Sequence, residues 1–191
     1  MALCFTHAAA GYLVYEAVRP AGRHSAGLLA GAVLLANAPD LDFVPGVLMG
    51  APAIFHRGPT HTVLAAVLVA LVAAALGWWR RPGGRGATWW ACFAAAAYAS
   101  HLLVDFVAED AIPPYGARFL WPFSDRFFHA GVQWFNEIVI DPHSRAGFVA
   151  SLLTPAALVT WVLEVARLLI VVGAVAVVRL LARSRQPQFA E

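Results

Sequence analysis

Five apolar stretches carry this chain, and the polar residues collect in the gaps between them. The first covers residues 3–18 and closes at Arg19-Pro20-Ala21-Gly22-Arg23. The second, 26–38, ends at Pro39, and the third, 62–79, ends at Arg80-Arg81-Pro82-Gly83-Gly84-Arg85. Arginines followed by Pro-Gly-Gly stop a helix and turn the chain. The fourth stretch runs from 87 to about 108. A long polar segment rich in proline and aromatic residues follows, 109–151. The last stretch opens at Thr154-Pro155, an N-cap with proline at the first helical position, and reaches residue 181. The pattern predicts an all-α fold in a single domain, 1–191. Its form is a polytopic membrane helical bundle of about five spans, with a long extracytoplasmic segment between the last two.

Composition strengthens the membrane reading. The 191 residues are 61% hydrophobic and 13% charged, against about 25% charged in soluble domains. All 13 basic residues are arginine, and they lie in loops rather than on one face, so no nucleic-acid partner is expected. Arg19 and Arg23, then Arg80, Arg81 and Arg85, then Arg179, Arg183 and Arg185 close the first, third and fifth stretches. With five spans these clusters share one side, the cytoplasmic one by the positive-inside rule. The segments 40–61 and 109–151 then face outward. Cys4 and Cys92 read as small buried hydrophobes. No positive residue precedes the first apolar run, so a cleaved signal peptide is not expected.

The chemistry gathers in residues 37–61, where Asp40, Asp42, His56 and His61 stand between apolar runs with Arg57 beside the histidines. Such groups cost several kcal/mol each when stranded in an apolar medium, and a metal ion is the most economical common partner. Carboxylate plus imidazole without thiolate suits zinc, manganese or iron. The bland alternative is that the aspartates end one helix and the histidines cap the next. His56 is expected in the loop and His61 at the start of the third helix, with Thr60 as a cap. His101 and Asp105 are four apart and share a helix face, which serves a metal or a plain His–Asp hydrogen bond. His7, alone, reads as a satisfied bundle residue. Its distance from Arg19, about 18 Å along a helix, nevertheless matches the roughly 20 Å rises that carry the other polar groups to one depth below the outer surface. Arg57 is either a solvated loop charge or an anion clamp.

Several motifs in order carry a resemblance: His7, Pro39-Asp40-Leu41-Asp42, His56-Arg57-Gly58-Pro59-Thr60-His61-Thr62, Ser100-His101-Leu102-Leu103-Val104-Asp105, Pro114-Tyr115-Gly116 and Leu120-Trp121-Pro122-Phe123-Ser124. Over residues 1–130 the chain resembles the bacterial family of inner-membrane metal-dependent hydrolases named for the LexA-regulated protein YdjM. The resemblance implies a multi-span inner-membrane protein, a His/Asp metal centre and a hydrolase activity. It implies ligand roles for His7, Asp40, Asp42, His56, His61, His101 and Asp105. Pro59, where the family often has a larger residue, and an insertion at 109–113 depart from its pattern. A more distant similarity links Asp42, His56 and the later H-x-x-x-D to zinc-dependent phospholipase C and related nucleases. Their H-x-x-x-E element is missing, since Gln133 follows His129 and Gly147 follows His143. One or two divalent ions are therefore expected rather than three, zinc first, manganese or iron second.

The leading function is a membrane metal-dependent hydrolase with Asp40 or Asp105 as general base and Arg57 stabilising negative charge. Its expected substrate is a membrane lipid or lipid-linked phosphoester. The alternatives are a metal-ion transporter and a non-catalytic metal-binding scaffold. Glu16 is nearly the only ionisable residue at the far level of the first four stretches, which argues against a conduction path. Seven candidate ligands exceed the four of a closed structural site. Glu109 and Asp110 could rim the site or end a helix in solvent. Trp121, Phe123, Phe127, Phe128, Trp134 and Phe135 suit an interfacial belt or lid, and Glu164 with Arg167 suits a pair inside the bundle.

Overall fold

A computed structural model describes residues 4–20, 23–80, 85–108, 115–130, 138–141 and 143–184. Among them the regular structure is helical: α1 (Cys4–Val18), α2 (Ala26–Asn37), α3 (Phe43–Met49), α4 (Val63–Arg80), α5 (Ala87–Val107), α6 (Arg145–Ser151) and α7 (Pro155–Ser184). Two 3₁₀ turns, Ala38–Asp42 and Pro59–His61, join α2 to α3 and precede α4. An isolated antiparallel bridge pairs Ala117 with Phe128.

Small residues decide how the bundle closes. A Cβ on Gly11 would lie 2.7 Å from the Ala32 carbonyl oxygen, so α1 and α2 meet backbone to backbone. Ala32, Ala36 and Ala97 are wholly buried at this crossing, and α5 packs beside it. Helix pairs in membranes associate through such small-residue contacts. Tyr15, Leu28, Ala32 and Phe93 form the apolar core below it. On the other flank α4 lies along α5. α7 runs parallel to α1: Glu164, wholly buried, accepts the Thr6 N–H at one end, and Arg179 donates to Glu16 at the other.

The second apolar stretch does not stop at Pro39. Proline fits the second position of a 3₁₀ turn, within the first turn where no donor is needed, and the turn hands the chain to α3. The apolar segment is therefore Ala26–Met49, 24 residues, with Asp40 and Asp42 inside it. This segment, Ala87–Val107 and Pro155–Ala182 are long and apolar enough to cross a membrane, while Val63–Trp79 is apolar but shorter. α7 starts as expected, with the Thr154 hydroxyl accepting from the Ala157 N–H. α6 was not expected. Cys4 and Cys92, expected to be buried, are exposed on the outer faces of their helices.

Candidate metal centre

Four segments deliver the site. His7 stands one turn before Gly11 on the same face of α1, and the close α1–α2 approach brings it beside α5. His101 and Asp105 lie on one face of α5, continuing from the buried Ala97. Asp40 and Asp42 come from the turn after α2, His56 and His61 from the loop before α4. His7, His61 and His101 are fully buried, and Asp105 is 4% exposed.

The donor atoms are crowded. His61 Nε2 is 3.2 Å from His101 Nε2, 3.5 Å from Asp40 Oδ1 and 3.5 Å from Asp105 Oδ2. His101 Nε2 is 3.6 Å from Asp40 Oδ1 and 3.3 Å from Asp105 Oδ2. Ligands held about 2.0–2.1 Å from a tetrahedral ion stand roughly 3.3–3.4 Å from one another, so these four atoms are spaced as a ligand shell. The second oxygens of the same carboxylates turn toward His7, with Nε2 3.6 Å from Asp105 Oδ1 and 3.9 Å from Asp40 Oδ2. The His7 ring stacks on His101 at 3.7 Å between centroids. Two sets of residues, His7–His101–Asp105 and Asp40–His56–His61, each have donor atoms within 4.8 Å of one another.

Supports for the rings separate Asp42 from Asp40. The two oxygens of Asp42 lie 3.2 Å from the Nδ1 atoms of His56 and His61, and the Thr60 hydroxyl donates to one of them at 3.0 Å. The Ala36 carbonyl accepts from His101 Nδ1 at 2.8 Å. Each contact favours a proton on Nδ1 and turns Nε2 into the cluster, the usual arrangement behind metal-bound histidines. Both oxygens of Asp42, expected among the ligands, lie against imidazole Nδ1 atoms. Thr60, expected to cap α4, holds Asp42 instead. The cap is Thr62, whose hydroxyl accepts from the Ala65 N–H, and His61 sits in the 3₁₀ turn before the helix. Tyr98 was missed: its hydroxyl donates to the Thr60 carbonyl at 2.7 Å and fixes this loop against α5.

Satisfaction by the protein alone is incomplete. His7 Nε2, Asp40 Oδ1, His56 Nε2 and both oxygens of Asp105 are buried with no hydrogen-bond partner among the described residues. Buried polar groups ordinarily have one, so the residues present fit an absent cation of the carboxylate-and-imidazole class. Burial pulls His61 down, but the Asp40 and Asp42 carboxylates beside it outweigh that and push the imidazole up to about 9. At His56 burial prevails over the pull of Asp42, and the pKa falls.

Arg57 has left-handed backbone, φ 58°, which is uncommon outside glycine. Its Nη1 donates to the Gly116 carbonyl at 3.3 Å, tying the histidine loop to the 115–130 loop. That loop is also anchored by Val63 N–H to the Phe119 carbonyl and Ala130 N–H to the Phe106 carbonyl. Phe123 and Phe127 are exposed on it, whereas Trp121 and Phe128 are half-buried. Glu109, Asp110, Trp134 and Phe135 lie outside the described residues.

The family model described as YdjM inner membrane protein matches residues 1–185, well past the 130 residues over which the motifs are recognisable. No curated protein and no solved structure matches the chain. The chain belongs to the YdjM inner membrane protein family.

Proposed function

We propose that this protein is a membrane-embedded metal-dependent hydrolase acting on a phosphoester presented by a lipid at the extracytoplasmic leaflet. The observation that carries the reading is the buried cluster of His7, Asp40, His61, His101 and Asp105, spaced as ligands, with atoms of His7, Asp40 and Asp105 short of hydrogen-bond partners. Its two sets of donors would suit divalent ions of the zinc or manganese class, Asp105 with His7 and His101, and Asp40 with His56 and His61. A bound ion would supply Lewis acidity and a nucleophile available near neutral pH.

The chain's own groups then divide the remaining work. Asp105, its side chain 1% exposed, holds charge in the interior, whereas Asp40 at 18% is the carboxylate that can reach water and accept a proton. Asp42 and Thr60 keep His56 and His61 facing the cluster. Arg57, beside His56 and tied by Nη1 to the Gly116 carbonyl, would place a planar cation beside a phosphate. Five spans, with α1 and α4 as short ones, put the arginine ends of α1, α4 and α7 in the cytoplasm and the metal centre outside. Transport is less well supported, because Glu16, the carboxylate at the far level, is closed by Arg19 and Arg179.

Purified protein with zinc or manganese should hydrolyse at least one member of a panel of phospholipids and lipid-linked phosphates, and peptides less well. Asp40→Asn should lower kcat by about 10²–10⁴, the usual worth of a general base. Arg57→Lys should lose most activity while keeping its metal. Turnover of peptides alone, or an Arg57→Ala variant as fast as wild type, would sink the phosphoester assignment.

A further inference from the structure

At the end of the bundle opposite the metal centre, α2 and α4 flank α5 and leave between them a cavity of about 1010 Å³. That is as large as the upper range of ligand pockets, about 300–1,000 Å³. Its walls are hydrocarbon, with Leu28 and Leu35 on one side and Leu68, Val72 and Leu76 on the other. Arg19, Arg23 and Arg85 stand around the same cavity. Arg19 is the telling one. It is 8% exposed, its Nε is held by Glu16 at 2.6 Å, and its Nη1 is buried with no hydrogen-bond partner among the described residues. Arg85 is steadied over the Trp89 ring at 3.9 Å, and Arg23 is exposed.

A guanidinium that is buried and only partly paired calls for an anion, and leucine walls beneath it call for hydrocarbon. One molecule has both in that order. We infer that the α2–α4 cavity binds an anionic glycerophospholipid of the leaflet on the arginine side. Its phosphate would meet Arg19, Arg23 and Arg85, and an acyl chain would lie between α2 and α4. Gly31 supports the hydrocarbon half: it lines the cavity, and a Cβ there would meet nothing nearer than the Phe93 ring at 3.9 Å. The inference is independent of the chemistry at the metal centre.

The test is native mass spectrometry of the full chain, delipidated in detergent and titrated with dioleoylphosphatidylglycerol or dioleoylphosphatidylcholine. The anionic lipid should bind about tenfold or more tightly than the zwitterionic one. Arg23→Gln with Arg85→Gln should erase about tenfold to thirtyfold of that affinity, the worth of two arginines at an anionic headgroup. Arg19→Gln also unpairs Glu16 and risks the fold, so the two exposed arginines carry the charge test. Gly31→Trp, which places a bulky side chain in the cavity beside Phe93, should abolish retention of the lipid with the melting temperature unchanged. Equal binding of both lipids, or full binding by Gly31→Trp, would overturn the proposal. Inorganic phosphate that displaces the lipid at equal concentration would overturn it in favour of a free-anion site.

Discussion

Glu16 and Asp105 are both carboxylates buried in this bundle, 5% and 4% exposed, at opposite ends of it. Glu16 has its cations built in: Arg19 Nε at 2.6 Å and Arg179 Nε at 3.1 Å, with Arg179 also on its backbone carbonyl. Asp105 has imidazoles at 3.3–3.6 Å and no hydrogen-bond partner among the described residues for either oxygen. A carboxylate taken out of water must find positive charge or lose several kcal/mol. Arginines supply that charge at one end, whereas only imidazoles face the carboxylate at the other.

The same chemical change should therefore have opposite signs at the two ends. Glu16→Gln strands Arg19 and should cost about 3–5 kcal/mol of unfolding free energy, with or without metal. Asp105→Asn, measured in chelator, should instead be neutral or raise stability by about 1–3 kcal/mol, because it removes an unsatisfied buried charge. Denaturant unfolding of both variants in detergent decides the matter, and two losses of equal size would erase the contrast.

Smaller effects sharpen the assignment within the metal end. Asp42→Asn should weaken zinc binding by about 10–100-fold, as loss of an orienting carboxylate does, yet still fill at saturating metal. A chelator competition titration reads this directly, and loss of an ion at saturation would return Asp42 to the ligands. Smallest of all is the topological change. With Cys4 and Cys92 replaced by serine, cysteines at Gly86, where a Cβ would meet nothing within 4 Å, and Phe123, 86% exposed, should leave folding untouched and label from opposite faces of the membrane. Gly116 is unsuitable for such a probe, since its φ is 89° and a Cβ would strike the Phe128 carbonyl at 2.1 Å. Labelling of both positions from one face would break the five-span orientation.

How much of this was legible beforehand varied with the physics involved. The helix limits near Val18, Ala87 and Pro155 were readable because arginine, glycine and proline punctuate apolar runs. The candidate residues were readable because ionisable groups in hydrocarbon are expensive. Pro39 misled, since a helix stop and a 3₁₀ continuation use the same residue. Asp40 and Asp42 could not be told apart, because their roles depend on the Nδ1 atoms of His56 and His61, set by a fold rather than by spacing. Tyr98 gave one faint signal, a hydroxyl one turn before His101 on an otherwise apolar helix. The cavity beside Arg19 had none, because the sequence does not say that α2 and α4 stand apart.

The central claim, that the cluster around Asp105 lacks a cation the chain does not carry, is tested by the metal content of the purified protein. Wild-type protein equilibrated with zinc and desalted should retain about two ions per chain, the number its two donor sets suit. His101→Ala, which removes a ring from the heart of the cluster, should lose at least one of them. A wild-type protein that holds no more zinc than His101→Ala would contradict the account.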